Sequence, residues 1–396
     1  MNNFIKKLFI MVLVIGAMTV LLNLPVSAQP TEQIPRKIVV FQKNFVNEAA
    51  QIELLRNAGA VFIKSLAIVN AAAVYLTPEA EIALKGKPEI LRIEDDIIVQ
   101  ALGRPKPPEP PPPQSQTTPW GITRIGAPSA WPTTKGLAIK VAILDTGIDL
   151  DHSDLAANIK GNVNCVNPAK SGDDDNGHGT AVAGVVAAIN NSIGVVGVGP
   201  EIYLYAVKVL GRTGGGNLSD IIDGLEWCTN NGMAIINISL GCSQPDSETF
   251  HTAIQAVDSA GIVMVGSAGD NAEETAHYPG AYPEVICLSS MDENDQLAWF
   301  SDYGDAIDVI APGDNINSTW KGGGYATHYG ASLATAHAVG TIALLMSRPV
   351  GDYDLDSDSE WDPTEVKNKL YDTAEDLGLD VKQQGAGLVR ADLAIQ

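Results

Sequence analysis

The sequence predicts an α/β fold, a mostly parallel sheet with helices on both faces, preceded by a small α+β unit of ferredoxin-like order. Three observations carry that expectation. From Pro119 onward, short apolar β-branched runs at 139–144, 202–209, 234–239, 262–265 and 285–288 alternate with helical stretches. Runs that are apolar on both faces and joined by helices are what a covered parallel sheet requires. Residues 36–102 instead read as strand, helix, strand, strand, helix, strand, the split β-α-β order. Finally, Asp145, His178 and Ser332 each lie in a Gly-rich, small-residue segment at the end of a strand or the start of a helix.

In chain order, residues 1–28 read as a secretory signal. Lys6 and Lys7 form a basic start, 8–22 an apolar run, and Val26-Ser27-Ala28 a small-residue cleavage site. No other stretch reaches the ~18 uninterrupted apolar residues of a membrane span, so the product is expected outside the membrane, secreted or periplasmic. The small unit follows, with strands at 37–41, 60–68, 71–76 and 90–102 and helices at 46–57 and 78–85. Pro105-Lys106-Pro107-Pro108-Glu109-Pro110 and the three prolines after it form a stiff spacer that builds no core, within a linker at 103–118. The large domain spans 119–396, with a helix at 221–227 and a long apolar helix from Leu333 to Met346.

Net charge is −22 and uneven: 12 basic and 10 acidic groups lie in 1–114, which leaves 13 of 25 basic and 37 of 47 acidic groups beyond. Such a surface excludes nucleic acid and anionic membranes as partners and suits cations. The four cysteines leave at most a thin disulfide framework whose pairing the sequence does not fix, and no Cys/His spacing suggests zinc.

Asp145, His178 and Ser332 together have a chemical use. A serine hydroxyl becomes a competent nucleophile when an imidazole takes its proton, and a carboxylate must hold that imidazole in the right tautomer. Val141-Ala142-Ile143-Leu144-Asp145-Thr146-Gly147, Asn176-Gly177-His178-Gly179-Thr180 and Gly330-Ala331-Ser332-Leu333-Ala334 supply the three in the order Asp, His, Ser. On these segments residues 115–396 resemble the subtilisin-like serine proteases. The resemblance implies a subtilisin-like fold and peptide-bond hydrolysis through an acyl-enzyme. Asp145 would orient His178, and Ser332 would attack protein or peptide substrates. It further implies that 36–102 is an inhibitory propeptide whose last strand fills the cleft. Self-cleavage would follow Leu102, with the bond after Gln114 as rival site. Leu210 and Gly211 would flank the groove, and Ser239, Leu240, Gly241, Ser267, Ala268 and Gly269 would face them and wall the S1 pocket. Tyr278–Pro279 matches a turn that holds a cis bond.

The same resemblance implies a structural calcium site from side chains of Gln116, Asp154 and Asn191 with carbonyls of Ile189, Ile193 and Val195, the oxygen set calcium prefers. The acidic run 352–360 lacks the glycine and bidentate Glu of an EF-hand loop and reads as a solvated insertion. Ala331, Leu333 and Ala336 depart from the family's Thr, Met and Pro around the serine. Asp270 departs more sharply, standing where the family has the asparagine that donates to the oxyanion. A carboxylate cannot donate unless protonated, and in a subtilisin the loss of one such donor costs about 10²–10³-fold in turnover. Burial that keeps Asp270 neutral, or a one-residue slip that brings in Asn271, would restore the donor. One branch of the related eukaryotic proprotein convertases also has Asp here, so the resemblance still implies activity; the alternative is a non-catalytic protein-binding or scaffold relative.

Overall fold

The computed structural model describes residues 34–105, 115–242 and 247–396. The expected signal at 1–28 and nearly all of the polyproline run lie outside the described residues. The small unit comprises β1 (Arg36–Phe41), α1 (Glu48–Asn57), β2 (Val61–Leu66), β3 (Ala71–Tyr75), α2 (Pro78–Lys85) and β4 (Ile90–Asp95). Its strands pair antiparallel in the order β2-β3-β1-β4. Asn47 and Thr77 start the helices by accepting the Ala50 and Ala80 N–H groups, orphan donors that any helix start must satisfy. One face of the sheet buries Val39, Phe41 and Val74 with Leu55 and Leu84 of the helices.

Beyond it the chain forms β5 (Ile98–Ala101), β6 (Arg104–Pro105), β7 (Lys140–Asp145), β8 (Ile159–Asn164), α3 (His178–Ala187), β9 (Tyr203–Lys208), β10 (Gly215–Asn217) and α4 (Leu218–Asn230). It continues through β11 (Ile235–Ile238), β12 (Leu240–Gly241), α5 (Glu248–Asp258), β13 (Val263–Ser267), β14 (Val285–Met291), β15 (Val309–Pro312), β16 (Ile316–Trp320), β17 (Gly324–Tyr329), α6 (Ala331–Met346) and α7 (Pro363–Asp372). Seven of these strands make one sheet, β15-β14-β13-β11-β7-β9-β8, with every pairing parallel. Alternation along β7 shows why both faces are covered. Val141 and Ile143 join the core under α3 and α6, whereas Ala142 and Leu144 join the core under α4 and α5.

The five expected runs all lie in this sheet. The two strands that the sequence reading misses are its edges. At β8 the segment Ile-Lys-Gly-Asn-Val-Asn is half polar, as an edge half open to solvent permits, and β15 is only Val-Ile-Ala-Pro. The helix expected at 221–227 runs from Leu218 to Asn230, so Cys228 is buried inside it and does not end it. The serine helix begins at Ala331, which puts Ser332 in its first turn.

The expected single strand at 90–102 is two. Asp96 lies between them, buried, and its carboxylate accepts the Ser219 N–H at 2.8 Å and the Ser219 hydroxyl at 2.7 Å. Arg36 pairs with the same carboxylate at 2.8 Å. A buried charge must be paired and hydrogen-bonded, and the donors sit at the start of α4, so the chain turns out of the small sheet there. Glu94 makes a matching contact at α5, accepting from the Ser247 and Thr249 hydroxyls at 2.7 Å each. Further along the junction Lys64 reaches Asp220 at 2.9 Å and Asp223 at 2.7 Å, and Ile38, Val40 and Leu66 join the core of α4 and α5. Replacing Asp96 with Ala removes a helix cap and strands Arg36. In a Ser332→Ala background, which rules out the self-cleavage that the family resemblance implies, denaturant unfolding should show a loss of about 1–2 kcal/mol.

Candidate active site

Asp145 ends β7, an inner strand between β11 and β9, and His178 opens α3, so the carboxyl edge of the sheet brings them together. His178 Nδ1 lies 2.8 and 2.9 Å from the two Asp145 oxygens, and its Nε2 lies 3.1 Å from Ser332 Oγ. The Leu102 carbonyl oxygen is 2.7 Å from the same Nε2. A carbonyl and a carboxylate can only accept, so both ring nitrogens donate and the ring carries a positive charge. Burial opposes that charge. The adjacent Asp145 carboxylate and the hydrogen bonds to Asp145 and Leu102 outweigh it and hold the His178 pKa at about 9.

Leu102 arrives by way of β5, which is the middle strand of an antiparallel three-stranded sheet. On one side Ile98, Val99 and Gln100 face Asn217, Gly216 and Gly215, and on the other Gln100 and Ala101 face Gly241 and Leu240. The Ala101 N–H donates to Gly214 O at 2.8 Å and the Leu102 N–H to Ser239 O at 3.1 Å. The pairing edge is thus 214–217, one turn beyond the expected Leu210 and Gly211. Gly211 closes that turn with its N–H on Gly215 O, and Leu210 shares a core with the buried Val99. The Leu102 side chain lies against Gly241, where an added methyl would stand 3.0 Å from Leu102 Cδ1 and 3.1 Å from His277 Cβ. Ser267 ends β13 and Ala268 and Gly269 follow it beside this wall, and Ala268 holds His277 through a 2.7 Å backbone hydrogen bond. Gly269 has φ +126° and an added Cβ there would meet Asp302, so no side chain fits. The Tyr278–Pro279 bond is cis.

Asp270 does not donate toward the serine in this arrangement. Its Oδ1 accepts the Ala331 N–H at 2.7 Å. Asn271 does not slip into its place, being held by the Asp302 carboxylate at its N–H and by His277 at its amide, at 2.9 and 3.1 Å.

Five of the six residues expected to hold calcium, Gln116, Asp154, Ile189, Asn191 and Val195, converge. Gln116 Nε2 points at Ile189 O, Val195 O and Asn191 Oδ1 at 2.8, 3.2 and 3.4 Å, and Asn191 Nδ2 is 2.7 Å from Asp154 Oδ1. Ile193 turns within the same loop, with its N–H on Asn191 Oδ1. His152, which the sequence reading passes over, is buried, accepts the Asp154 N–H, and lies 2.8 Å from Gly324 O. In the acidic run, Asp354, Asp356 and Asp358 bring their carboxylates within 4.8 Å of one another on the surface.

A family model described as the subtilase family matches residues 136–388, the stretch that carries Asp145, His178 and Ser332. The chain belongs to the subtilase family. Among its relatives is an alkaline protease of Alkalihalobacillus alcalophilus, 39% identical over 348 residues, which cover 88% of this chain and 83% of that protein. Subtilisin Savinase of Lederbergia lenta is 42% identical over 281 residues, 71% of this chain and 99% of that protein. Subtilisin J of Geobacillus stearothermophilus is 36% identical over 386 residues and covers 94% of each chain. As a subtilase the protein is a serine endopeptidase.

Within the subtilase site two buried side chains escape the sequence reading. Asp174 sits in an acidic run that resembles surface, yet its carboxylate accepts from the Thr146 and Thr180 hydroxyls and from the Asn176, Gly177 and Thr180 N–H groups. It fastens the start of α3 to the end of β7, and burial raises its pKa despite those bonds. His328 packs on Trp320 with ring centroids 4.9 Å apart, and burial and then the charge on His178 push its pKa down to about 3. Both line or support a cleft of 220 Å³ beside Gly103. Asp174→Ala should misalign His178 and lower kcat against a peptide substrate on the order of 10²-fold, with KM little changed. Steady-state kinetics of the variant at matched folding check this.

Proposed function

We propose that the protein is made as an exported, self-inhibited precursor in which residues 36–102 are the propeptide and Asp145, His178 and Ser332 are the catalytic triad. The observation that carries this reading is the Leu102 carbonyl on His178 Nε2, the same atom that meets Ser332 Oγ, with β5 held in the cleft as a peptide substrate would be. Export rests on the sequence of residues 1–28 and on the absence, among the described residues, of a helix long and apolar enough to cross a membrane.

In the reaction, Ser332 Oγ forms a bond to the Leu102 carbonyl carbon as its proton passes to His178 Nε2. The bond to Gly103 N then breaks, that nitrogen takes the proton, and water releases the acyl group by the reverse sequence. Val99 occupies the S4 position and Leu102 the S1 position, so extended substrates with aliphatic residues at both should fit. Nε2 cannot accept while it donates to Leu102, so self-cleavage begins from the minor state in which the ring has lost its proton and the carbonyl has turned toward the Ser332 N–H.

The direction with pH follows. The folded pKa of about 9 lies above the ring's ordinary ~6.5. The His178 contacts therefore stabilise the uncut state fully below ~6.5, and that contribution is lost as pH rises through about 9. The rate of self-cleavage should accordingly rise about tenfold per pH unit and level off near 9. A pH series read by N-terminal sequencing should give a product that starts at Gly103. A start at Ser115 would assign the cut to the rival site. No product at any pH, with Ser332 unlabelled by a fluorophosphonate, would favour the non-catalytic reading.

Calcium fits the loop of Gln116, Asp154 and Asn191. Three of the oxygens implied as ligands crowd one Gln116 amide, whose nitrogen and oxygen can exchange places to complete an all-oxygen set. Bound calcium would tie the segment after the linker to the loop that ends α3, and stabilise the fold by mass action. Chelator should lower the melting temperature, with about 2.7 kcal/mol lost from a site held at a hundred times its Kd. Asp154→Ala should melt at the chelated value whether or not chelator is present.

A further inference from the structure

Two contacts fix the place of Asp270 relative to the bond after Leu102. Its Oδ1 accepts the Ala331 N–H at 2.7 Å. A Cβ added to Gly330 would stand 3.3 Å from Asp270 Oδ2 and 2.5 Å from the Gly103 Cα, so carboxylate, Gly330 and the residue just past the cut share one contact shell. The next residue, 104, continues as β6, antiparallel to β17 and opposite Tyr329. One residue advances a chain by only ~3.8 Å, so the backbone of a substrate residue at this position passes close to the carboxylate. The lysines on the imidazole side of the cleft are engaged elsewhere. Lys208 donates to Thr146 O, Leu210 O and Asp175, and Lys321 to Asp175 O.

An anion here opposes the oxyanion that forms on the attacked carbonyl, whereas a cation paired with it removes the opposition and gains a charge-assisted hydrogen bond. We propose that Asp270 makes the cleft selective for substrates with a cationic residue, arginine or lysine, in the second position after the cleaved bond. The substitution that weakens the oxyanion site thereby becomes a specificity element, active when the substrate supplies the countercharge. The chain's own sequence meets the requirement, with arginine at position 104. This inference rests on the reading of Ser332 as nucleophile and of the bond after Leu102 as its target.

The test is a double-mutant cycle on the full-length chain, with self-cleavage at Gly103 as readout. Arg104→Gln should slow cleavage about tenfold in the wild-type background, Arg104→Glu more, and Arg104→Lys should restore most of the rate. With Asp270→Asn the dependence on residue 104 should disappear. Equal slowing in both backgrounds, or none in either, overturns the proposal. If the wild-type chain neither cleaves nor labels with a fluorophosphonate, the reading of Ser332 fails by itself. The same cycle is then read as melting temperature in the uncut chain. There a coupling between positions 104 and 270 supports the pairing, and additive shifts overturn it.

Discussion

Asp145 is a carboxylate with no solvent access, at the end of an inner strand of a seven-stranded sheet. A charge so placed is tolerable only if its oxygens are filled, and they take the Thr146 N–H at 2.6 Å and His178 Nδ1. His178 must therefore stand at one spot, and the start of α3 must stand with it. Asp174 meets that demand from the other side, joined to Thr146 and Thr180 and to three backbone N–H groups. Gly179 is forced by the same crowding, since a Cβ there would lie 2.1 Å from Gly147 O. The glycine next to the histidine thus follows from the close approach that this buried charge imposes.

Electrostatics divide the labour between the two parts of the chain. Arg36, Lys64 and Arg92 of the small unit meet Asp220, Asp223 and Glu248. The acidic excess beyond residue 114 thus doubles as a docking surface for a unit whose own charge is nearly balanced. Lys64 shows the energetic sense of this. Burial alone would lower its pKa, yet the two aspartates raise it.

The legible parts of the sequence were those with a strong local cause. Apolar runs announced the inner strands because burial on both faces leaves no room for polar residues, and the three Gly-rich segments pointed to Asp145, His178 and Ser332 because close backbone packing excludes larger side chains. The edge strand Ile159–Asn164 lacked such a pattern, and Asp96 looked like one more charged residue in a strand until its partner Ser219 was in view. Asp174 and His328 share the difficulty. Their burial is set by chain segments far away, 28 residues in the case of Asp174 and Thr146, and no local window contains both halves. The groove edge was displaced by one turn for the same reason, since the pairing of Gly215–Asn217 depends on β5 more than on its own residues.

The position of β5 has a temporal consequence. An edge strand peels away one hydrogen bond at a time, but this one is paired along both sides and buries Val99. Severing the covalent bond at its end leaves both ladders in place. On the proposed self-cleavage the nicked molecule would be a complex of two chains whose silence outlasts the chemistry, and the interval before it first meets a foreign peptide would be set by how fast one strand withdraws from between two others.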